Sequence, residues 1–213
     1  CELIDATSAI DFTSRDTAAF VKLSSGSTVK AKLVIAADGR NSILREKAGI
    51  STKTHRFGQK ALAFAVTHPI AHQNISTEIH NSGGPFTLVP LPDFDGTPSS
   101  AIVWMESGEK AKNLLQMEAK EFEREMTARS CNILGPLKLA SKRSLWPIIS
   151  QIADRLCSNR LALIGETAHV VPPIGAQGLN MSLADIKLLN NLDQKYPNEL
   201  GETRTLNEYQ KHR

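Results

Sequence analysis

Three cysteines, Cys1, Cys131 and Cys157, are all that 213 residues contain, and no two stand at C-x-x-C spacing. Such a set excludes a disulfide framework and a cysteine-held zinc site, and it predicts reduced thiols in a cytoplasmic setting. His68 and His72 are four apart, but Pro69 between them breaks the helix that a metal pair at that spacing needs. There is no run of 18 apolar residues, so no membrane-spanning helix is expected, and no signal-peptide pattern is visible. The net charge is only +3, with Lys and Arg scattered rather than gathered in a stripe. That argues against a nucleic-acid surface and leaves room for a modest pull towards anionic ligands or a membrane face. Also missing is any G-x-G-x-x-G, the signature of a dinucleotide-binding strand–turn–helix.

What is present is a soluble-enzyme composition, 41% hydrophobic and 22% charged, enough for one large or two small cores. The most informative stretch is NRLALIGETAHVVPPIGAQGLNMSLADIKLL, Asn159 to Leu189. Leu161 to Ile164 is a short continuous apolar run, as in a strand buried on both faces. Gly165 ends it, and Pro172, Pro173, Gly175 and Gly178 forbid regular structure before a helix opens. In that helix Leu179, Leu183, Ile186, Leu189 and Leu192 recur at spacings of three and four, which predicts one buried stripe. Free amides at such a helix start favour an anion or an electron-rich carbonyl oxygen, and glycines let a ligand approach the main chain. A plain Gly/Pro-rich connection with no ligand is the competing reading. Upstream, KLVIAADGRNSILR repeats the theme: a buried strand from Leu33 to Ala37, then Asp38-Gly39, then a short helix. By itself Asp38-Gly39 also reads as a simple turn.

Taken together, these strings resemble the FAD-dependent aromatic-ring hydroxylases built like p-hydroxybenzoate hydroxylase. Gly165, Ala168, His169, Pro172, Pro173, Gly175, Gly178, Leu179, Asn180 and Asp185 match the family's second flavin motif, and Asp38, Gly39, Ser42 and Arg45 match its Asp-Gly motif. Glu166 stands where the family usually has Asp, and Thr167 where it usually has Ala. The resemblance implies that Asp38, Gly39, Arg45, Gly165, Glu166, Pro172, Pro173, Gly175, Ala176, Gly178, Leu179 and Asn180 hold FAD, with Glu166 on a ribityl hydroxyl. For Arg45 a structural ion pair stands beside the cofactor role, and His169 reads as a residue that fixes the loop. The family opens with the G-x-G-x-x-G unit absent here, so the chain is expected to be part of a longer protein, binding FAD weakly or not at all alone.

From about Gln59 to Trp104 the pattern changes to strands, ALAFAVTH, NISTEIH, PFTLVPL and SAIVWME, separated by turn signals. A helix over 108–131 follows, with Leu115, Ala119, Phe122 and Met126 on one face, and then a short strand at Ser144 to Pro147. The expected fold class is α/β with an α+β insert: part of a Rossmann-like FAD-binding domain (1–50 and 148–213) and an antiparallel-sheet substrate domain (51–147). By resemblance the insert forms one wall of the substrate pocket, with Phe86, Leu88, Pro90 and Trp104 as wall candidates, or else as ordinary sheet core.

GPFTLVPLPD followed by SAIVWME, with LWPII later, is most similar to the hydroxylases of ubiquinone biosynthesis. That implies a flavin-dependent monooxygenase acting with NAD(P)H and O2 on an aromatic, prenylated small molecule, with peripheral membrane contact or a biosynthetic complex as further partners. No side chain is assigned as a general acid or base. A related epoxidase or prenyl reductase and a non-catalytic scaffold with a vestigial flavin site stay open as alternatives.

Overall fold

The computed structural model describes residues 2–175 and 177–213. The chain divides into two units, one of residues 1–55 and 149–213, the other of 56–148. The first unit opens on an antiparallel meander, β1 (Ala9–Ser14), β2 (Ala19–Leu23) and β3 (Thr28–Ala31). β4 (Val34–Ala36) follows and leads into the short helix α1 (Ile43–Lys47). The Ser42 side chain accepts from the Arg45 N–H and caps α1.

The second unit is built on long strands. β5 (Thr52–Thr67), β6 (Thr77–Asn81), β7 (Gly84–Phe94) and β8 (Thr97–Ser107) pair antiparallel in the order β5-β8-β7-β6. The β7–β8 hairpin turns on Asp95 and Gly96, both at positive φ, as a two-residue reversal requires. The single helix expected over 108–131 is instead two, α2 (Gly108–Gln116) and α3 (Ala119–Arg129), because Met117 is extended. Of the face expected there, Phe122 and Met126 are buried while Ala119 is exposed. β9 (Lys138–Leu139) adds to β5, and β10 (Ser144–Ala153) returns the chain to the first unit. Both helices cover one sheet face. Leu62, Phe64, Phe86, Leu88, Ile102 and Trp104 pack there against Leu114, Phe122 and Met126. Burial of such large side chains, at about 1.5–3 kcal/mol each, is what closes this core.

Back in the first unit, β11 (Cys157–Ser158) pairs with β12 (Leu161–Leu163), which lies parallel to β4, giving the order β11-β12-β4. β12 is fully buried, as its apolar run predicts. After a 3-10 turn at Gly165–Thr167 and β13 (His169–Val170), the long helix α4 (Gln177–Lys195) and then α5 (Thr203–His212) complete the chain. The core beneath them gathers Leu161, Ala162, Leu163, Leu189, Leu192, Leu206 and Tyr209, whose hydroxyl donates to the Leu163 carbonyl at 2.8 Å.

Two apolar patterns land differently from expectation. The stripe on α4 is two adjacent stripes. Asp185, Leu189 and Leu192 face inward, whereas Leu179, Leu183 and Ile186 are 67%, 52% and 51% exposed. In β4, Ala36 is buried but Ile35, which points to the opposite face, is 45% exposed; among the described residues β4 is also a sheet edge. Ile35 and Ile186 border a hollow of about 240 Å3 together with Ile164 and Leu200.

Candidate flavin site

The two motifs that stand far apart in sequence lie side by side at the ends of β4 and β12, the parallel pair of the first unit. Asp38 leaves β4 and turns its carboxylate back on α1. Oδ1 accepts from the Ser42 hydroxyl at 2.6 Å and Oδ2 from the Leu44 N–H at 3.2 Å. Gly39, at φ +86°, then takes a left-handed turn that favours glycine. Its N–H donates to Thr167 Oγ1 at 3.0 Å, and the Thr167 hydroxyl lies 3.3 Å from Asp38 Oδ1. Thr167 is fully buried. The hydroxyl that Thr167 brings in place of the usual Ala thus ties one motif directly to the other.

Among the described residues Arg45 makes no ion pair, and carbonyls take its guanidinium instead. Buried to 8% exposure, its guanidinium donates to the Thr167 carbonyl at 3.0 Å and the Arg40 carbonyl at 2.9 Å. It is a strut between the motifs, and five-donor geometry suits it for bridging two carbonyls. Arg40 was not singled out in the sequence, although its place directly after Asp38-Gly39, with a carboxylate at 166, is the signal that would have found it. Its guanidinium forms a bidentate pair with Glu166, Nε to Oε2 at 3.0 Å and Nη2 to Oε1 at 2.9 Å. The Glu166 side chain stays 52% exposed. An exposed pair of this kind contributes at most about 1 kcal/mol, so the carboxylate can exchange Arg40 for a ligand hydroxyl.

Gly165, at φ +59°, starts the turn between β12 and the Gly/Pro-rich loop, and its N–H donates to Asp185 Oδ2 at 2.9 Å. Asp185 has no exposed surface and accepts two further bonds, from His169 Nε2 at 2.8 Å and Arg213 Nε at 2.6 Å. Burial pushes its carboxyl up, but the His169 and Gly165 hydrogen bonds and the nearby Arg213 charge outweigh that, holding it below the usual carboxylate range. His169 therefore ties the loop to α4 through this bond. Pro172 is half-buried, Pro173 exposed, and Gly175, at φ +64°, has open space where a side chain would stand. Ala176 lies outside the described residues. At Gly178 a methyl would meet only Val171 Cγ2, at 3.8 Å. Gly178, Leu179 and Asn180 form the exposed first turn of α4, whose leading amides have no acceptor within the helix. No acidic side chain sits in that turn, so its positive dipole end is not neutralised from within.

The wall residues named for the second unit need correction. Phe86, Leu88 and Trp104 are 0–1% exposed, on the sheet face that α2 and α3 cover, and Pro90 shares that face through its two-residue spacing. Trp104 packs edge-on against Phe86 at 5.4 Å. The opposite face carries Ala63, Thr87, Val89, Ala101 and Val103, half-buried or exposed. His68 and His72, for their part, bond the carbonyls of Ile70 and Leu91 and the Ser100 hydroxyl.

The geometry offers an anion-favouring helix start, a glycine-lined approach to the main chain and a nearby exchangeable carboxylate. The family profile described as FAD binding domain matches residues 7–213. The chain belongs to the FAD-binding domain family. Among curated proteins it is 38% identical over 167 residues to the ubiquinone hydroxylase UbiL of Rhodospirillum rubrum, covering 78% of this chain and 38% of that protein. It is 29% identical over 204 residues to the mitochondrial ubiquinone biosynthesis monooxygenase COQ6 of Mus musculus, covering 79% and 42%. Among solved structures, p-nitrophenol 4-monooxygenase PnpA from Pseudomonas putida shares the fold at a TM-score of 0.74 and 19% identity, over 96% of this chain and 52% of that one. The chain thus spans about two fifths of the length of these curated relatives.

Proposed function

We propose that these residues belong to a flavin-dependent monooxygenase that hydroxylates an aromatic ring, a polyprenylated phenol of ubiquinone biosynthesis, with NAD(P)H and O2. The observation that carries the reading is the interlock of the two flavin motifs through Thr167 and Arg45, beside the exposed first turn of α4. The residues fit FAD: Gly175 and Gly178 leave the main chain open to a flat ring, the half-exposed Glu166 carboxylate is a candidate acceptor for a ribityl hydroxyl, and the α4 amides suit a carbonyl edge. FAD, when bound, supplies the redox chemistry by taking a hydride from NAD(P)H and delivering one oxygen atom of O2 to the ring, the other leaving as water.

The protein's own residues bind, orient and stabilise charge. Amides of Gly178 and Leu179 offset negative charge on a reduced ring system, an electrostatic role that needs no proton transfer. The open face of the second unit, with Ala63, Ala101, Val103 and Val89, supplies apolar surface for a prenylated substrate. The exposed β4 edge and the Leu179, Leu183 and Ile186 stripe are surfaces that a dinucleotide-binding strand and helix would cover. The unit of 1–55 and 149–213 is the flavin half in this reading, and 56–148 the substrate half. Peripheral membrane contact follows from the apolar substrate, which resides in lipid.

The test is a quinone-deficient strain lacking a ring hydroxylase, complemented with the longest reading frame that contains these residues. Hydroxylated prenylphenol in the lipid extract is the expected result. Flavin-loaded protein that yields only an epoxide or a reduced prenyl chain would replace the hydroxylase reading with its closest alternative.

A further inference from the structure

A groove of about 650 Å3 runs along α3 in the second unit, on residues that the flavin reading does not use. Its second wall is the 136–138 segment, held in register with the helix at two points. The Leu137 N–H donates to Thr127 Oγ1 and the Leu139 N–H to Glu123 Oε1, both at 2.9 Å. Lys138 lies between these anchors and is exposed, while Leu137 is buried. Across from it, Lys120 and Arg124 stand four apart on α3, on one helical face. One end of the groove therefore carries three cations. Among the described residues none of the three makes an ion pair. The one carboxylate in the lining, Glu123, has an oxygen committed to the Leu139 N–H. Farther along the helix the lining becomes uncharged, with Ala128, Pro136 and Leu137. The exposed Cys131 thiol stands at this end.

Like charges brought together at a concave surface repel unless an anion joins them, and an apolar trough beside them suits hydrocarbon. The geometry points to a binding site for a single anionic amphiphile, with an acidic head group between Lys120, Arg124 and Lys138 and a hydrocarbon chain over Ala128 and Pro136. This site stands apart from the flavin reading and survives its failure. Glu121 and Glu125 do not line the groove, whose lining holds three cations and one carboxylate, so the head group meets a local excess of positive charge.

Cys131 gives a direct readout, since an occupied groove shields its thiol. The 213-residue chain is mixed with dodecyl phosphate below its micelle concentration, and N-ethylmaleimide labelling of Cys131 is followed by peptide mass mapping. Inorganic phosphate and dodecyl maltoside are run in parallel. Saturable binding of one dodecyl phosphate, with Cys131 labelling slowed about fivefold or more, is expected. The triple variant Lys120→Gln, Arg124→Gln, Lys138→Gln should bind about tenfold more weakly or worse, near 1.4 kcal/mol. Its side chains are exposed, so an unchanged urea midpoint verifies the fold. Equal protection by phosphate alone or by the neutral maltoside overturns the proposal, as does full affinity in the triple variant. Binding only to phosphatidylglycerol vesicles would assign the charge to a membrane surface instead. Protection that rises with protein concentration alone would assign the groove to a second copy; either result overturns it.

Discussion

Gly178→Ala separates the flavin reading from every purely structural role of this glycine. Gly178 lies in the first turn of α4 with an ordinary helical φ, and an added methyl would meet only Val171 Cγ2 at 3.8 Å, a normal van der Waals contact. Alanine is the better helix former by about 1 kcal/mol in a helix interior, and by about half of that in a first turn. The unliganded chain should therefore become slightly more stable, by about 0.5 kcal/mol in urea denaturation. A flavin ring lying on the main chain here meets the new methyl and is pushed from the Gly178 and Leu179 amides. Losing one or two such hydrogen bonds costs about 1–3 kcal/mol, a weakening of about five- to 150-fold in affinity. The assay pairs urea unfolding of the 213-residue chain with FAD titration, by quenching of flavin fluorescence, in a chain that also carries a dinucleotide-binding unit. Gly175 is a poorer choice, because φ +64° adds backbone strain to any substitution there. Higher stability with affinity unchanged within about twofold would refute the placement of the ring.

Two further outcomes follow from the hydrogen bonds around the motifs. Thr167→Val keeps the shape but removes the acceptor for the Gly39 N–H, and should cost about 1–2 kcal/mol; Thr167→Ser should restore most of it, as read from urea midpoints. Asp185 has a folded-state pKa below its unfolded value, so its contribution is fully present above the unfolded pKa. It is lost as the pH falls below about 4 and through the folded value. Asp185→Asn should therefore lower stability at pH 7 by about 3 kcal/mol, since it removes a buried charged partner. The gap to the native chain should close on acidification; a gap that stays constant from pH 7 to pH 3 would contradict the assignment.

The strands and the two flavin motifs were legible because each is local: a continuous apolar run, a glycine at its end, and a helix start. Asp185 was visible as a motif position, but its burial was not. An apolar count along α4 merges Leu179, Leu183 and Ile186 with Leu189 and Leu192, although one position of offset turns the first set outward. The inward face at 185 is polar and answers to Gly165, His169 and Arg213, contacts that no periodicity reports. Similarly, the strand pattern locates Phe86 and Leu88 in a strand but does not report the helices, later in the chain, that bury them. The break at Met117 is not legible because every residue around it is a competent helix former; its extended backbone, with Glu118 as the N-cap of α3, divides the segment. The hydroxyl of Thr167 looked like a mild departure, yet it bridges both motifs.

The central claim is that amides at the glycine-lined start of α4 receive the flavin. It is tested most directly by ¹⁵N–¹H NMR of the chain titrated with FAD, where even weak binding registers as shifts of individual amides. The largest shifts should fall on Gly178 and Leu179, with smaller ones at Gly165 and Glu166. Shifts that leave these four unmoved, or that gather instead along α3, would contradict it.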